Sequence, residues 1–148
     1  MAGGVEVGAE ENLKSLEKAA AGYPIEIIKS PAFGRLKDLY GKAKFFWSAA
    51  GFGEDEVKNP QKVEHFGITT VEAMAGGAVP LVFAAGGAKE IVENEKDGLT
   101  WQNVGELLKF TRGLIKDGKK LRSLAKSARK KAEEFSYAKF NQRTSTVI

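Results

Sequence analysis

Two glutamates separated by seven residues, Glu64 and Glu72, are the side chains in this sequence whose surroundings favour a binding site. Gly67, between them, lets the backbone turn without a Cβ clash, and Thr69 is predicted to cap the helix that follows. Glu72 is then expected in the first helical turn, where it can bond a pair of neutral hydroxyls. Glu64, before the helix, is placed to face whatever is attached to the far end of a bound phosphate.

The predicted helix start also supplies hydrogen-bond donors for an anion. Four apolar residues recur at helical spacing and predict one face of this helix: Ile68, Val71, Met74 and Ala75. A helix N-terminus exposes unpaired N–H groups and the positive end of its dipole, so the amides from Ile68 to Thr70 are expected to receive a phosphate or diphosphate. The spacing Thr69-x-x-Glu72 is equally that of a capping box, which needs no ligand. The residues alone leave both interpretations open.

Alternating apolar strands and amphipathic helices must position these groups. Strands are predicted before Gly4 and over residues 25–28, 44–50, 78–85 and 99–101. Helices are predicted over residues 10–21, 36–43, 88–93, 104–115 and 119–135, followed by a last helix capped by Ser136. The segment 44–50 is apolar on both faces, which is typical of a central parallel strand. This alternation favours a parallel sheet covered by helices.

Two loops follow predicted strands at the edge where open α/β sheets bind ligands. Residues 51–63 form the longest one and contain an acidic triplet at 54–56. A flap over a ligand and a surface insertion without a role are both open interpretations of this loop. Gly86 and Gly87 permit close approach of the backbone to a ligand, although a tight strand-to-helix turn also explains them.

Composition excludes several classes of protein. The 148 residues suit one domain, and 43% apolar with 28% charged residues is typical of a globular chain. There is no apolar run long enough to cross a bilayer and no secretory signal pattern, so a cytoplasmic location is expected. The lack of cysteine excludes disulfides, thiolate metal sites and cysteine nucleophiles. His65 is the single histidine, so no metal site is expected.

The formal charge of +4 comes largely from the segment 116–131. Its basic residues surround an apolar stripe of five residues: Leu121, Leu124, Ala125, Ala128 and Ala132. This pattern predicts an amphipathic helix with a solvated basic face, and contact with an anionic membrane surface is the alternative. Nucleic acid is not expected as a partner, and binding of DNA or RNA by this basic helix would be recognised by an affinity that depends steeply on salt.

Further motifs accompany the glutamate pair in a fixed order. They are Leu36-x-x-Leu39-Tyr40-x-x-Ala43, Glu64 to Gly77, Gly86-Gly87-x-x-Glu90-Ile91-Val92, Asp97-Gly98-Leu99 and Phe135-Ser136-Tyr137. Together they resemble the C-terminal, nucleotide-sugar donor domain of retaining glycosyltransferases of the GT-B fold. The resemblance is to family 4, or group 1, which includes glycogen-synthase-like and mannosyltransferase-like enzymes, and it covers about residues 36–140.

The resemblance implies a Rossmann-like parallel sheet and one donor-nucleotide-binding domain over residues 1–148. It implies that Glu64 bonds hydroxyls of the donor sugar, as the catalytic-site residue, and that Glu72 bonds the ribose hydroxyls. Six further residues would contact sugar or phosphate: Phe66, Gly67, Ile68, Thr69, Gly86 and Gly87. The donor substrate would be a nucleoside diphosphate sugar, with no other cofactor and no metal. His65 is read as a packing or loop residue, with sugar contact as the alternative.

Members of the family begin this domain with a strand, a helix and another strand that contribute an arginine and a lysine to clamp the diphosphate. Nothing precedes Ala2-Gly3-Gly4 that could supply them and the first arginine is Arg35, so a fragment of a two-domain enzyme is expected. The strand at 25–28 would lose its neighbours, and the sheet would close up, recruit residues 5–7 or pair with another chain as a homodimer. An N-terminal domain would bind the acceptor sugar or glycolipid, which leaves the isolated chain inactive.

Two other functions remain open at this level. The glutamates are also compatible with a hydrolytic acid and base pair, although nothing else in the sequence supports hydrolysis. A non-catalytic nucleotide-binding or scaffold module is the second alternative, and the missing phosphate clamp favours it. If the chain is a transferase, its Phe-Gly-Ile-Thr-Thr-Val sequence and acidic loop are most similar to mannosyltransferase-type members, which favours a guanosine donor.

Overall fold

The computed structural model describes residues 1–4 and 8–145, and the chain divides into two compact units between Leu39 and Tyr40. The elements of the first unit are β1 (Ala2–Gly3), α1 (Glu10–Ala20) and β2 (Ile28–Lys29), and the division itself falls within α2 (Phe33–Lys42). β1 and β2 pair in parallel, with Ala2 opposite Ile28. The strand predicted over 25–28 is therefore shorter and begins later. The predicted pairing of the sheet with residues 5–7 falls outside the described residues.

The second unit has the order of strands and helices that the sequence predicts from residue 44 onward. Its elements are β3 (Phe45–Ser48), α3 (Ile68–Gly76), β4 (Val79–Phe83), α4 (Ala88–Ile91), β5 (Leu99–Trp101), α5 (Val104–Lys116), α6 (Gly118–Ala132) and α7 (Tyr137–Thr144). Short 3-10 turns occupy Pro60–Lys62 and Glu133–Phe135. Ser136 caps α7 as predicted, because its side chain accepts a hydrogen bond from the Lys139 N–H.

The sheet of the second unit has the order β3-β4-β5 with all three strands parallel. This confirms the predicted α/β class. The prediction of β3 as the central strand is wrong, because β4 lies between the other two and is almost wholly buried. Trp47 of β3 is 54% exposed. An apolar run on both faces therefore does not separate an edge strand from a central one.

Helices cover both faces of β4. Successive side chains of a strand point to opposite faces, so β4 contributes residues to a buried cluster on each side. One buried cluster joins Val82 of β4 to α3, α4 and α6 and consists of Met74, Val82, Ala88, Ile91, Val92, Ala128 and Ala132. The other joins the opposite face to α5 and α6 and consists of Val79, Leu81, Leu99, Trp101, Leu107, Leu114 and Leu124. These clusters confirm the predicted apolar stripe of α6.

Part of the basic face of α6 bonds to protein groups rather than to water alone. The Arg129 guanidinium donates to the Gly76 carbonyl at 3.0 Å, at the C-terminus of α3. Lys131 pairs with Glu134 at 3.0 Å. Arg129 therefore satisfies a carbonyl that a helix end leaves without a backbone donor. None of the helices among the described residues is long and apolar enough to cross a bilayer.

Two glycines hold the loops after β3 and β4 together. The Gly87 N–H donates to the Glu64 carbonyl oxygen at 2.7 Å. A Cβ atom on Gly86 would overlap that same oxygen, and one on Gly87 would overlap the His65 carbonyl oxygen. Both positions are far inside van der Waals contact. Only residues without side chains allow the turn at 86–87 to pack on the backbone of residues 64–66.

Asp97 is a buried carboxylate between α4 and β5. Its side chain is 3% exposed and accepts a hydrogen bond from the Glu93 N–H at 2.8 Å. Burial raises the pKa of Asp97 above its ordinary value, and the hydrogen bond from Glu93 offsets only part of this effect. The adjacent Gly98 packs against Pro80, where a Cβ would lie 2.6 Å from the proline ring. The Asp97-Gly98 turn is thus held by the buried hydrogen bond of Asp97 and by the close packing of Gly98 on Pro80.

The first prediction concerns the pH dependence that Asp97 adds to folding. Because its folded-state pKa is raised, the folded state binds its proton more tightly, and this stabilisation is lost as pH rises through the folded-state pKa. The free energy of unfolding of the native chain minus that of Asp97→Asn should fall as pH rises from about 3 to 7, by about 1.4 kcal/mol for each unit of pKa shift. Urea unfolding across this pH range measures it, and a difference that rises with pH would contradict it.

The second prediction concerns the glycine turn. Gly87→Ala should lower the free energy of unfolding by about 1–3 kcal/mol or more, because the added methyl group meets a backbone oxygen that cannot move aside. Gly113→Ala is the matched control, because Gly113 lies in α5 and its added methyl group would have no atom within 4 Å. The control should gain about 0.5–1 kcal/mol from helix propensity. Equal stability of the two variants in denaturant unfolding would refute the packing argument.

Candidate functional site

The N-terminus of α3 is built by Gly67 and Glu64. Gly67 is the N-cap residue in the left-handed conformation, with φ 82°. Its N–H donates to Glu64 Oε1 at 2.9 Å. A Cβ at Gly67 would also lie 3.0 Å from Ile91. The glycine is required by both its backbone angle and its neighbours, and the Glu64 carboxylate is held at the helix start by one of its two oxygens.

Two details of the predicted helix start are wrong, and the predicted apolar face is correct only in part. The N-cap is Gly67 rather than Thr69, so the spacing of Thr69 and Glu72 does not form a capping box. Glu72 is the fifth residue of α3 and lies in its second turn rather than the first. The buried residues of α3 are Thr70, Ala73 and Met74. Of the predicted apolar face, Met74 is buried and Val71 packs against the core, whereas Ile68 is 63% exposed and Ala75 is exposed.

The amides at the start of α3 divide into paired and unpaired groups. The N–H groups of Thr70 and Val71 both donate to the Gly67 carbonyl, at 2.9 and 3.1 Å. The N–H groups of Ile68 and Thr69 have no acceptor among the described residues. The predicted anion-binding range from Ile68 to Thr70 is thus reduced to its first two members. These two donors lie at the positive end of the α3 dipole.

Glu72 is half-buried on α3 beside Tyr40. Burial, and then the charge and hydrogen bond of Glu72, raise the pKa of the Tyr40 hydroxyl. Tyr40 also packs against Gly76, where a Cβ would lie 2.9 Å from its backbone. Its ring makes an edge contact with Phe46 of β3, with centroids 6.2 Å apart. Glu72 therefore lies near enough to Tyr40 for its charge to act on the hydroxyl, a pairing that the Leu36-x-x-Leu39-Tyr40 motif does not reveal.

Phe66 and His65 form the rest of the loop before α3. Phe66 is 50% exposed, and its ring makes an edge contact with Phe135 at a centroid distance of 5.8 Å. His65 has an exposed side chain, and its carbonyl faces Gly87. The interpretation of His65 as a loop residue fits this placement.

A carboxylate from the loop 51–63 reaches the glycine turn. Glu56 Oε1 accepts a hydrogen bond from the Gly86 N–H at 3.0 Å. The same carboxylate pairs with Lys89 Nζ at 3.1 and 3.2 Å. The sequence indicates the acidic triplet, but it does not show which of three neighbouring acids makes this contact. Lys89 is missed by sequence reasoning, because a lysine after a glycine turn carries no signal of its own.

The structure brings most of the predicted site residues into one region. Glu64, Phe66 and Gly67 lie in one loop, and Gly86 and Gly87 pack directly on that loop. Two further predicted residues, Ile68 and Thr69, begin α3 there, and Glu72 lies one turn along the same helix. Such a region offers backbone donors for an anion and two carboxylates for hydroxyl groups. Among residues 1–4 and 8–145, no three acidic or histidine side chains gather into a group that could hold a metal ion.

Known proteins are similar to this chain in sequence over part of its length, and others are similar to it in fold. The GDP-Man:Man(3)GlcNAc(2)-PP-Dol alpha-1,2-mannosyltransferase of Dictyostelium discoideum is 33% identical over 79 residues, which are 53% of this chain and 16% of that protein. The chain thus spans only a small part of this relative.

Two solved structures have the same fold at low sequence identity. Alr3699/HepE from Anabaena, in complex with UDP and glucose, has a TM-score of 0.81 at 21% identity, over 99% of this chain and 38% of that chain. Sucrose-phosphate synthase (tll1590) from Thermosynechococcus elongatus has a TM-score of 0.77 at 22% identity, over 99% of this chain and 36% of that chain.

The family assignment comes from the sequence. The model of the family described as "Glycosyl transferases group 1" matches residues 5–131, which include both glutamates and the glycine turn at 86–87. The motifs that carry the resemblance therefore lie, apart from the last, inside one continuous match. The chain belongs to the glycosyl transferases group 1 family.

Proposed function

We propose that this chain is the donor domain of a retaining hexosyltransferase and binds a nucleoside diphosphate sugar at the N-terminus of α3. The observation that carries the proposal is the packing of the turn at Gly86 and Gly87 onto the loop of Glu64. This packing gathers backbone donors and a carboxylate at the carboxyl edge of a parallel sheet, the edge at which α/β folds bind ligands. Membership of the glycosyl transferases group 1 family supports it.

Each group has a role that its geometry permits. Glu64 uses Oε1 to accept the Gly67 N–H, and Oε2 has no donor among the described residues, so Oε2 is assigned to hydroxyls of the donor sugar. Glu72, which lies beside Tyr40, is assigned to the ribose hydroxyls. Phe66, Gly67, Gly86 and Gly87 provide the backbone that faces the sugar and its phosphate.

Transfer requires stabilisation of the diphosphate that leaves the anomeric carbon. As the bond from that carbon to the phosphate oxygen breaks, negative charge grows on the diphosphate. The unpaired N–H groups of Ile68 and Thr69, with the α3 dipole behind them, are fixed donors for this charge. Donors that are already oriented stabilise a growing charge without reorganising. Glu64 positions the donor sugar in this scheme. Retention of configuration at the anomeric carbon is part of the proposed function.

The donor base and the acceptor are open to experiment. The Dictyostelium relative carries GDP-Man in its name, and the Anabaena structure contains UDP and glucose. We favour a guanosine donor and a mannosyl group on the sequence of the loop before α3, with uridine as the competing choice. Acceptor binding is assigned to protein outside the donor domain, because the chain covers 16% of the mannosyltransferase. A homodimer, peripheral membrane contact and a cytoplasmic location stay predictions.

A non-catalytic scaffold is the second candidate, and one observation favours it. Both carboxylates already have partners within the domain: Glu64 accepts the Gly67 N–H, and Glu72 bonds to Tyr40. Such contacts stabilise the helix start and its packing without any ligand. The two functions differ in what the removal of Glu72 changes. A donor domain loses nucleotide affinity, whereas a scaffold loses stability alone.

The third prediction tests these alternatives by calorimetry. The chain should bind UDP or GDP, and the corresponding UDP-glucose or GDP-mannose, with measurable affinity. Glu72→Ala should weaken this binding about ten- to a hundredfold, because a hydrogen bond to a charged group is worth about 1.5–3 kcal/mol. Glu11→Ala is the control, because it removes the same charge from an exposed position on α1.

Thermal unfolding of each variant separates affinity from stability. The donor-domain proposal expects Glu72→Ala to lose affinity at a temperature where it remains folded, while Glu11→Ala binds as the native chain does. Unchanged affinity of Glu72→Ala together with a lower melting temperature would support the scaffold function instead. Absence of binding to every nucleotide tested would overturn the donor-binding role of this chain.

A further inference from the structure

The contact of Glu56 with the glycine turn joins two loops that are 30 residues apart in sequence. Glu56 lies in the loop after β3, and Gly86 follows β4. The Glu56 carboxylate accepts from the Gly86 N–H at 3.0 Å and from Lys89 Nζ at 3.1 Å. An anionic group thus occupies two adjacent donors at the turn to which the proposed function assigns the sugar and phosphate.

The other two acids of the loop make different contacts. Glu54 pairs with Lys62 at 3.0 Å, on its own loop. Asp55 accepts the N–H groups of Val57 and Lys58 at 3.0 and 3.1 Å and so stabilises a local turn. Glu56 is therefore the member of the triplet that leaves its own loop to bond the glycine turn. A merely solubilising role for the acidic residues would not explain why only Glu56 of the three contacts the glycine turn.

The charge and the solvent exposure of the Glu56 contact indicate that it can break and form again. The hydrogen bonds from Lys89 and Gly86 lower the pKa of Glu56, so its carboxylate is ionised at neutral pH. The side chains of Lys89 and Glu56 remain 50% and 44% exposed. Ion pairs with this much exposure are weak, because water competes for both partners and the long side chains lose freedom. A bound anion can replace Glu56 at small cost.

We propose that Glu56 is an internal competitor of the donor, which occupies the Gly86 N–H and Lys89 until the anionic part of a nucleoside diphosphate sugar displaces it. The inference rests on the proposed donor site. Displacement of Glu56 releases the loop 51–63 from the glycine turn, so the loop responds to donor binding. Lys89 then pairs with a phosphate oxygen of the donor instead of with the Glu56 carboxylate. The free energy needed to break the Glu56 contact lowers the affinity for the donor.

The fourth prediction follows from this competition. Glu56→Gln should bind UDP, GDP, UDP-glucose or GDP-mannose about two- to fivefold more tightly than the native chain, the range expected for release of an exposed ion pair. Glu54→Gln is the matched control, because it removes the same charge from the same loop without touching the glycine turn. Calorimetry on the full chain gives the dissociation constants. The free nucleosides uridine and guanosine, which lack phosphate, should bind both variants equally.

Each outcome decides the matter. Tighter binding of Glu56→Gln than of both the native chain and Glu54→Gln supports the competition, including the case where only Glu56→Gln binds measurably. An affinity of Glu56→Gln no higher than that of the native chain or of Glu54→Gln overturns it while leaving the donor site in place. No binding by any of the three chains overturns the proposed function and this inference together. Thermal unfolding confirms that the exposed substitutions leave the chain folded during the titrations.

Discussion

The arrangement of the site depends on close packing of backbone against backbone at Gly86 and Gly87. The carbonyl oxygens of Glu64 and His65 lie far inside van der Waals contact of where a Cβ atom on Gly86 and on Gly87, respectively, would stand. The hydrogen bond from the Gly87 N–H to the Glu64 carbonyl fixes the two loops at that separation. Because backbone atoms cannot rotate out of the way as side chains can, this contact determines how near the turn after β4 comes to the start of α3.

The sheet explains why those two loops meet at all. β3 and β4 are parallel neighbours, so the segments that leave them emerge at the same edge, and the site occupies that edge. β4 is fixed by buried side chains on both faces, which join it to α3 on one side and to α5 on the other. The turn at 86–87 thus follows the most deeply buried strand of the unit, and α3 packs against that same strand. Precise placement of exposed groups follows from the rigidity of what lies beneath them.

Much of this fold could be predicted from the order of strands and helices, because buried strands and amphipathic helices have distinct periods. The predicted helices near 104–115 and 119–135 appear as α5 and α6, and the motifs indicate the candidate site residues. What failed depended on tertiary contacts. Thr69 has the side chain of a cap, but the left-handed Gly67 begins the helix two residues earlier. The apolar run of β3 could not show that its partner β4 takes the centre.

The acidic groups around the site show why sequence alone also missed its internal contacts. Each of the three glutamates has a partner in the second unit. Glu64 accepts the Gly67 N–H, and Glu72 lies beside Tyr40. Glu56 accepts from the Gly86 N–H and from Lys89. A carboxylate near a helix start or a glycine turn takes the donors at hand, since leaving them unpaired costs free energy. Under the proposed function, a ligand would exchange hydrogen bonds at Gly86 and Lys89 and would add them at the N–H groups of Ile68 and Thr69. Contacts that are partly exposed and weak make that exchange easy, whereas the backbone packing beneath them keeps the donors in place.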